Sequence, residues 1–196
     1  MGYIYYLMGK SASGKDSIYK RLLDETHLKS IVIYTTRPIR SGESDGVDYH
    51  FATQEEHDAI DSSGKIIEER VYDSALGPWI YFTVDDGSID LKREDYLGIG
   101  TLESYLKIRE YYGKERVKPI YIEVEDGDRL NRALNRERSE AEPKYKEMCR
   151  RFLADSVDFS EEKIKLAGIE RRFENVDFED CFQEIKDYIA DGYKGK

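Results

Sequence analysis

The run Gly9-Lys10-Ser11-Ala12-Ser13-Gly14-Lys15-Asp16 constrains the fold more than any other segment. Its spacing is glycine, four residues, then Gly-Lys. It follows an apolar stretch, Tyr3–Met8, and precedes a helical pattern with Ile18, Leu22 and Leu23 on one side. A strand that feeds such a turn and then a helix points successive backbone N–H groups inward, and the helix start adds positive potential. The pattern predicts a phosphate cradle built from Gly9, Ser11, Ala12, Ser13 and Gly14, with Lys15 reaching the outer phosphate oxygens. The residue after this lysine is commonly Ser or Thr; here it is Asp16, then Ser17. A carboxylate at that place suits Mg²⁺ held between it and the phosphates. It equally suits a helix cap.

Beyond the loop, strand and helix patterns alternate. Ile31–Tyr34 reads as a second strand, and the polar stretch from Arg37 to Asp48, with Pro38, Gly42 and Gly46, as a loop. From about Asp48 to Val84 the texture changes to short runs (Tyr49–Phe51, Ile66–Val71, Trp79–Thr83) with a helical pattern at Gln54–Ile60. Tyr96–Ile99 and Pro119–Val124 resume the core-strand pattern, with a helix over Leu102–Tyr112 between them. A basic helix opens at Asp128, Glu137–Pro143 is a charged break, and Lys144–Asp155 is a second basic helix. Phe173-Glu174 reads as a last short strand, Glu179–Ile189 as an amphipathic helix, and Gly192–Lys196 as a frayed tail. Repeated strand–helix units predict an α/β fold with a central parallel sheet and helices on both faces.

At 196 residues the chain fits one domain with an insert. Lys+Arg number 31 against 41 Asp+Glu, a net charge of -10. Such a surface opposes broad adhesion to nucleic acid or anionic lipid while leaving room for a small basic pocket. Cys149 and Cys181 lie far apart, and three histidines are scattered, so neither a disulfide framework nor a zinc pattern is present. No run approaches the ~20 apolar residues of a membrane span. Tyr3–Met8 lacks a basic flank and reads as a buried strand, not a signal peptide. A cytoplasmic protein without nucleic-acid or membrane partners is expected.

The segment Thr35-Thr36-Arg37-Pro38-Ile39-Arg40-Ser41-Gly42-Glu43, followed by Gly46-Val47-Asp48-Tyr49-His50-Phe51, carries a resemblance. Together with the phosphate loop, it resembles the guanylate kinase family. The resemblance implies a P-loop three-layer fold with a small β-rich nucleoside-monophosphate-binding insert and a helical lid. It places the core at residues 1–34, 90–128 and 156–196, the insert at 35–89 and the lid region at 129–155. It implies transfer of the γ-phosphate of ATP to GMP, with Mg²⁺, by a monomer or weak homodimer. Arg37, Arg40 and Tyr49 would hold the GMP phosphate, which suits guanidinium forks and a phenol donor. Ile66-Ile67-Glu68 would bring Glu68 to guanine, whose ring N–H and amine are adjacent donors. Strand alternation lets only one of Glu68 and Glu69 face the pocket. Tyr81 would join the phosphate site and Thr83 the base.

Later motifs extend the resemblance almost to the C-terminus. Arg129, Arg132 and Arg136 recur on one helical face. Arg136 or Arg138, and Arg150 or Arg151, take the place of lid arginines that close over the transferring phosphoryl; bridges to Glu137, Glu140, Glu142 and Glu147 are the simpler role for some of them. Asn175-Val176-Asp177 stands where the family approaches the adenine of ATP. Two positions depart from the family. Ile33 replaces a serine near the base, and Gly98-Ile99-Gly100-Thr101 replaces an Asp-x-Asp strand end, leaving Thr101, Glu103 or Asp16 to supply its function. Gly14-Lys15-Asp16-Ser17 also resembles ribose 1,5-bisphosphate phosphokinases. A non-catalytic guanylate-kinase-like binding module is the remaining alternative, opposed by the intact loop lysine and glycines.

Overall fold

The computed structural model describes residues 2–74 and 77–194. Its central sheet contains β1 (Ile4–Gly9), β2 (Lys29–Ser30), β7 (Tyr96–Gly100), β8 (Val117–Glu123) and β9 (Arg172–Glu174) in the order β2-β7-β1-β8-β9. Every pairing in it is parallel. A second sheet, β4-β3-β6-β5, joins β3 (Tyr34–Thr35), β4 (His50–Phe51), β5 (Ile66–Ser74) and β6 (Gly77–Val84). The helices are α1 (Lys15–Glu25), α2 (Gln54–Ser62), α3 (Leu102–Tyr112), α4 (Asp126–Ser139), α5 (Tyr145–Asp158), α6 (Glu161–Leu166) and α7 (Phe178–Lys194).

Alternation along β1 divides the core. Ile4, Tyr6 and Met8 face Leu102, Tyr105 and Ile108 of α3 and Ile164 of α6. Tyr5 and Leu7 face Ile18 and Leu22 of α1 and Phe182, Ile185 and Ile189 of α7. All six residues of β1 are buried because both faces of the sheet are covered. This is the three-layer arrangement expected from the strand–helix alternation.

The insert is lightly packed. Its buried cluster is Ile80, Phe82 and Val84, each contributing about 1.5–3 kcal/mol by burial. Polar clamps supplement it. Thr53 and Glu56 form a reciprocal capping box at the start of α2, and His57 lies edge-on to Phe82 at 4.9 Å. Ile33 and Ile67 pack against the cluster of Tyr6, Met8 and Tyr105, which fastens the insert to the central sheet.

Several boundaries differ from the sequence expectation. The strand expected at Ile31–Tyr34 is mostly the crossing between two sheets, since β2 ends at Ser30 and β3 begins at Tyr34. Ile31 still donates its N–H to Leu97 O at 3.0 Å, and the chain then leaves the central sheet to pair with β6. The first basic helix opens at Asp126, capped by the Glu125 side chain on Asp128 N–H, and continues through Ser139. The second runs from Tyr145 to Asp158. The six-residue α6 has no counterpart in the sequence reading. At the C-terminus α7 extends to Lys194, so the expected fraying at Gly192–Lys194 is replaced by helix, while 195–196 lie outside the described residues. No helix among the described residues is long and apolar enough to cross a membrane. Cys149 is exposed and Cys181 buried, both as free thiols.

Candidate active site

The phosphate loop leaves the C-terminal end of β1 and closes at Gly14, the N-cap of α1, where φ is 88°. Ala12, at φ 61°, is the one non-glycine residue with positive φ among the described residues. Non-glycine residues adopt this conformation rarely and at a cost, and it is found where surrounding contacts enforce it. The enforcing contact comes from the far end of the chain. Asn175, 3% exposed, donates from Nδ2 to Ser13 O at 2.8 Å. Asn175 thus braces the loop itself. Lys15 Nζ lies 3.6 Å from Asp16, whose side chain is exposed in the first turn of α1. Asp16 makes no side-chain cap, so the helix-cap reading fails. Among the described residues no three carboxylate, imidazole or thiol groups gather as a metal cluster. A lone exposed carboxylate beside a phosphate cradle nonetheless fits Mg²⁺, which is commonly held by one or two carboxylates together with substrate phosphates.

Helices α4 and α5 reach this loop partly through Asp126 and Asp155, acids that sequence reasoning did not single out. Asp155 of α5 accepts the Ser11 N–H at 2.7 Å. Lys10 donates to Asp126 at 3.3 Å. Arg129, 1% exposed, lies between Asp126 (3.4 Å) and Asp155 (3.8 Å) and over the ring of Phe152 at 4.8 Å. A cleft of about 360 Å³ opens beside Lys10, bounded by Glu125, Asp126 and Val176.

Arg37, 3% exposed, is held in place by its neighbours. Its Nε donates to Tyr81 OH at 3.0 Å, Nη1 to Pro38 O and Glu43, and Nη2 to Glu43 at 2.8 Å. Burial disfavours the Arg37 charge, but Glu43 and Tyr81 outweigh it and hold the pKa above its ordinary value. The same hydrogen bonds hold Glu43 below the usual carboxylate range. Glu43 therefore belongs to the site as the orienting partner of Arg37, a role absent from the sequence reading. Tyr81 OH accepts from Arg37, so its own proton remains to be donated. Tyr49 stands edge-on to Tyr81 at 5.7 Å and beneath Arg37 at 5.2 Å; burial raises its phenol pKa. Arg40 is exposed, close to Trp79, and its backbone N–H is held by Glu43. Arg37, Tyr49 and Tyr81 thus form one cluster, which Arg40 joins only through its backbone bond to Glu43.

Two residues along the same strand face lies the second cluster. Glu68 pairs with Thr83 across β5 and β6, and Arg70 with Tyr81. The Glu68 side chain is fully buried. Its Oε1 accepts from Thr83 Oγ1 at 2.8 Å. Glu69 points to the other face, where it meets His57 Nε2 at 3.0 Å. The alternation argument is met, but Arg70 was not foreseen: its Nε and Nη2 donate to the two oxygens of Glu68 at 3.1 and 3.3 Å.

The departure at the end of β7 has a steric cause. A Cβ at Gly98 would come within 2.7 Å of the Tyr6 ring, and one at Gly100 would meet Tyr6 OH and Ser104 Oγ. Tyr6 fills the space that side chains at these places would occupy and donates to Ser104 at 2.9 Å. Thr101 caps α3 in a reciprocal box with Ser104, and Glu103 pairs with Lys107 at 3.3 Å.

The arginines of α4 and α5 separate by position. On the expected common face, Arg129 is buried, Arg132 donates to Asn175 O at 2.8 Å, and Arg136 is exposed. Arg138 is exposed as well. Arg150 and Arg151 both grip Glu147, at 2.7 and 2.9 Å. These hydrogen bonds draw the Glu147 pKa down to about 2.

Residues 2–86 match the family model for guanylate kinase. A guanylate kinase from Granulibacter bethesdensis is 38% identical over 102 residues, covering 49% of this chain and 47% of that protein. One from Vibrio parahaemolyticus is 32% identical over 141 residues, covering 68% and 64%. The chain thus spans about half of the first relative and just under two thirds of the second. The crystal structure of guanylate kinase from Anaplasma phagocytophilum superposes with a TM-score of 0.66 at 23% identity, over 97% of this chain and 86% of that one. That likeness establishes the fold, and the sequence matches, concentrated in residues 2–86, make the chain similar to guanylate kinases.

Proposed function

We propose that the protein transfers the γ-phosphate of ATP to GMP, giving ADP and GDP. The observation that carries the reading is the pairing of an intact phosphate loop with a preformed acceptor clasp, Arg37 held by Glu43 and Tyr81. A monoester oxygen is already nucleophilic at neutral pH, so the reaction needs positioning and charge neutralisation more than a base. The loop N–H groups and Lys15 would hold the donor. The remaining N–H of Arg37, the Tyr81 and Tyr49 phenols and Arg40 would hold the acceptor phosphate. The transferring group is loose and anionic, and the exposed Arg136 and Arg138 are the lid arginines free to approach it. Arg150 and Arg151 would first have to release Glu147. Mg²⁺, bound by Asp16 and the phosphates, would supply charge neutralisation on the donor. The division into core, nucleotide-binding insert and lid follows the same reading, as does a monomeric or weakly dimeric cytoplasmic enzyme.

A coupled ADP-release assay with ATP, Mg²⁺ and each nucleoside monophosphate tests this. GMP turnover that disappears in Lys15→Ala supports the assignment. Absence of turnover with every monophosphate, while both nucleotides fail to bind, removes it. A base-free sugar phosphate is the second reading, favoured by the internal satisfaction of Glu68 by Arg70. Turnover of a base-free sugar phosphate, with none of any nucleoside monophosphate, in the same assay would favour this second reading.

A further inference from the structure

Guanine presents two adjacent parallel donors, a ring N–H and an exocyclic amine. The guanidinium of Arg70 presents the same pair, Nε and Nη2, and both are already seated on the two oxygens of Glu68. Thr83 adds a third donor to Oε1. The carboxylate is fully buried and the Arg70 side chain is 12% exposed, so the pair sits within the pocket and not on its rim. A bidentate fork fixes the plane as well as the distance of its partner. A base edge cannot occupy the plane that Arg70 holds.

Resting on the reading of this site as the acceptor-base pocket, we infer that Arg70 is an internal mimic of the guanine edge that gates Glu68. A guanine base gains its two carboxylate bonds only by displacing the two that Arg70 already makes. The carboxylate therefore returns little net selectivity in the resting protein. A base lacking the exocyclic amine leaves Arg70 in place and loses almost nothing. Arg70 is in this sense the specificity-determining residue, and its position opposite Tyr81 keeps it on the face that the nucleotide must cross.

The test compares GMP with inosine monophosphate, which lacks the exocyclic amine. Calorimetry and steady-state kinetics would be run on the intact protein and on Arg70→Met, which keeps most of the side-chain length without the fork. The expected result is a GMP preference below about 5-fold in the unaltered protein. In Arg70→Met it widens to at least 10-fold, through a lower KM for GMP with kcat unchanged. Arg70→Lys, a point charge without the fork, should fall between. A merely structural Arg70 would move stability and both ligands together. The unaltered protein serves alone if the variants fail to fold: a 100-fold preference for GMP in it overturns the inference, as does weaker GMP binding in Arg70→Met. Failure of the underlying acceptor assignment looks different, since neither monophosphate would then bind to any form while ATP still binds.

Discussion

Gly14 and Asn175 should behave as a single unit, although 161 positions separate them in the chain. Gly14 ends the phosphate loop in the left-handed region, and a Cβ there would come within 2.5 Å of Asn175 Nδ2. Gly14→Ala therefore incurs two costs. The left-handed backbone with a Cβ costs roughly 1–2 kcal/mol. The displaced amide also gives up its bond to Ser13 O, and a buried polar group left unsatisfied costs ~1–3 kcal/mol. The single variant should lose roughly 2–5 kcal/mol, and Asn175→Ala alone ~1–3 kcal/mol. In the double variant the lost bond is lost only once, so the total stays at roughly 2–5 kcal/mol and not at the sum of the two singles. Urea unfolding of the four proteins measures this, and ATP affinity should follow the same ranking. If the double variant falls within about 0.5 kcal/mol of additivity, Asn175 does not brace the loop through Gly14 and the account is wrong.

The insert should loosen as pH rises. Burial opposes the His57 charge, but Asp58 at 3.1 Å and Glu69 at 3.0 Å raise its pKa above the ordinary value; the contribution is complete below about 6.5 and is lost as pH climbs through the folded value. The thermal unfolding temperature should therefore fall as pH rises through that range, and His57→Gln should flatten the profile; an unchanged slope would show that His57 does not contribute to the clamp. Gly100→Ala should cost about 1–3 kcal/mol by overpacking against Tyr6 and Ser104, and Tyr6→Phe, which removes the nearest atom, should reduce that cost; a neutral Gly100→Ala would show the space to be open.

The parts legible in the sequence were those governed by local geometry. Glycine spacing, with Gly14 at positive φ, marks the phosphate loop. Period-two alternation correctly divides Glu68 from Glu69, and the Thr-Thr-Arg segment delivers Arg37 to Tyr81. What escaped was tertiary. Two-residue strands such as β2 and β3 carry too little pattern to show that the chain changes sheets between them. Asp155 and Arg129 look like ordinary lid-helix charges until the fold places one on the Ser11 N–H and buries the other. Glu43 and Arg70 are likewise loop and strand charges whose roles depend on which fork meets which carboxylate. Asn175 was found by its motif, but its contact with Ser13 follows from the parallel pairing of β9 with β8.

On the proposed reading of the site, two of its features share one physical form. At the end of β7 the acids are gone and Tyr6 fills their place; at β5 the acid remains and Arg70 neutralises it. The acceptor side has thus lost negative charge twice. Arg37 is matched by Glu43, so the inner clasp is close to neutral as a pair. Excess positive charge for an incoming dianion must therefore come from Lys15, Arg40 and the exposed lid arginines. Each of these is reached from solvent or carried on a movable side chain. A site arranged this way would capture phosphate at its periphery first and read the rest of the acceptor second. It follows that ionic strength should weaken acceptor binding through Arg40 and the lid, while selectivity among bases, set between Glu68 and Arg70 in a buried plane, should hardly respond to salt.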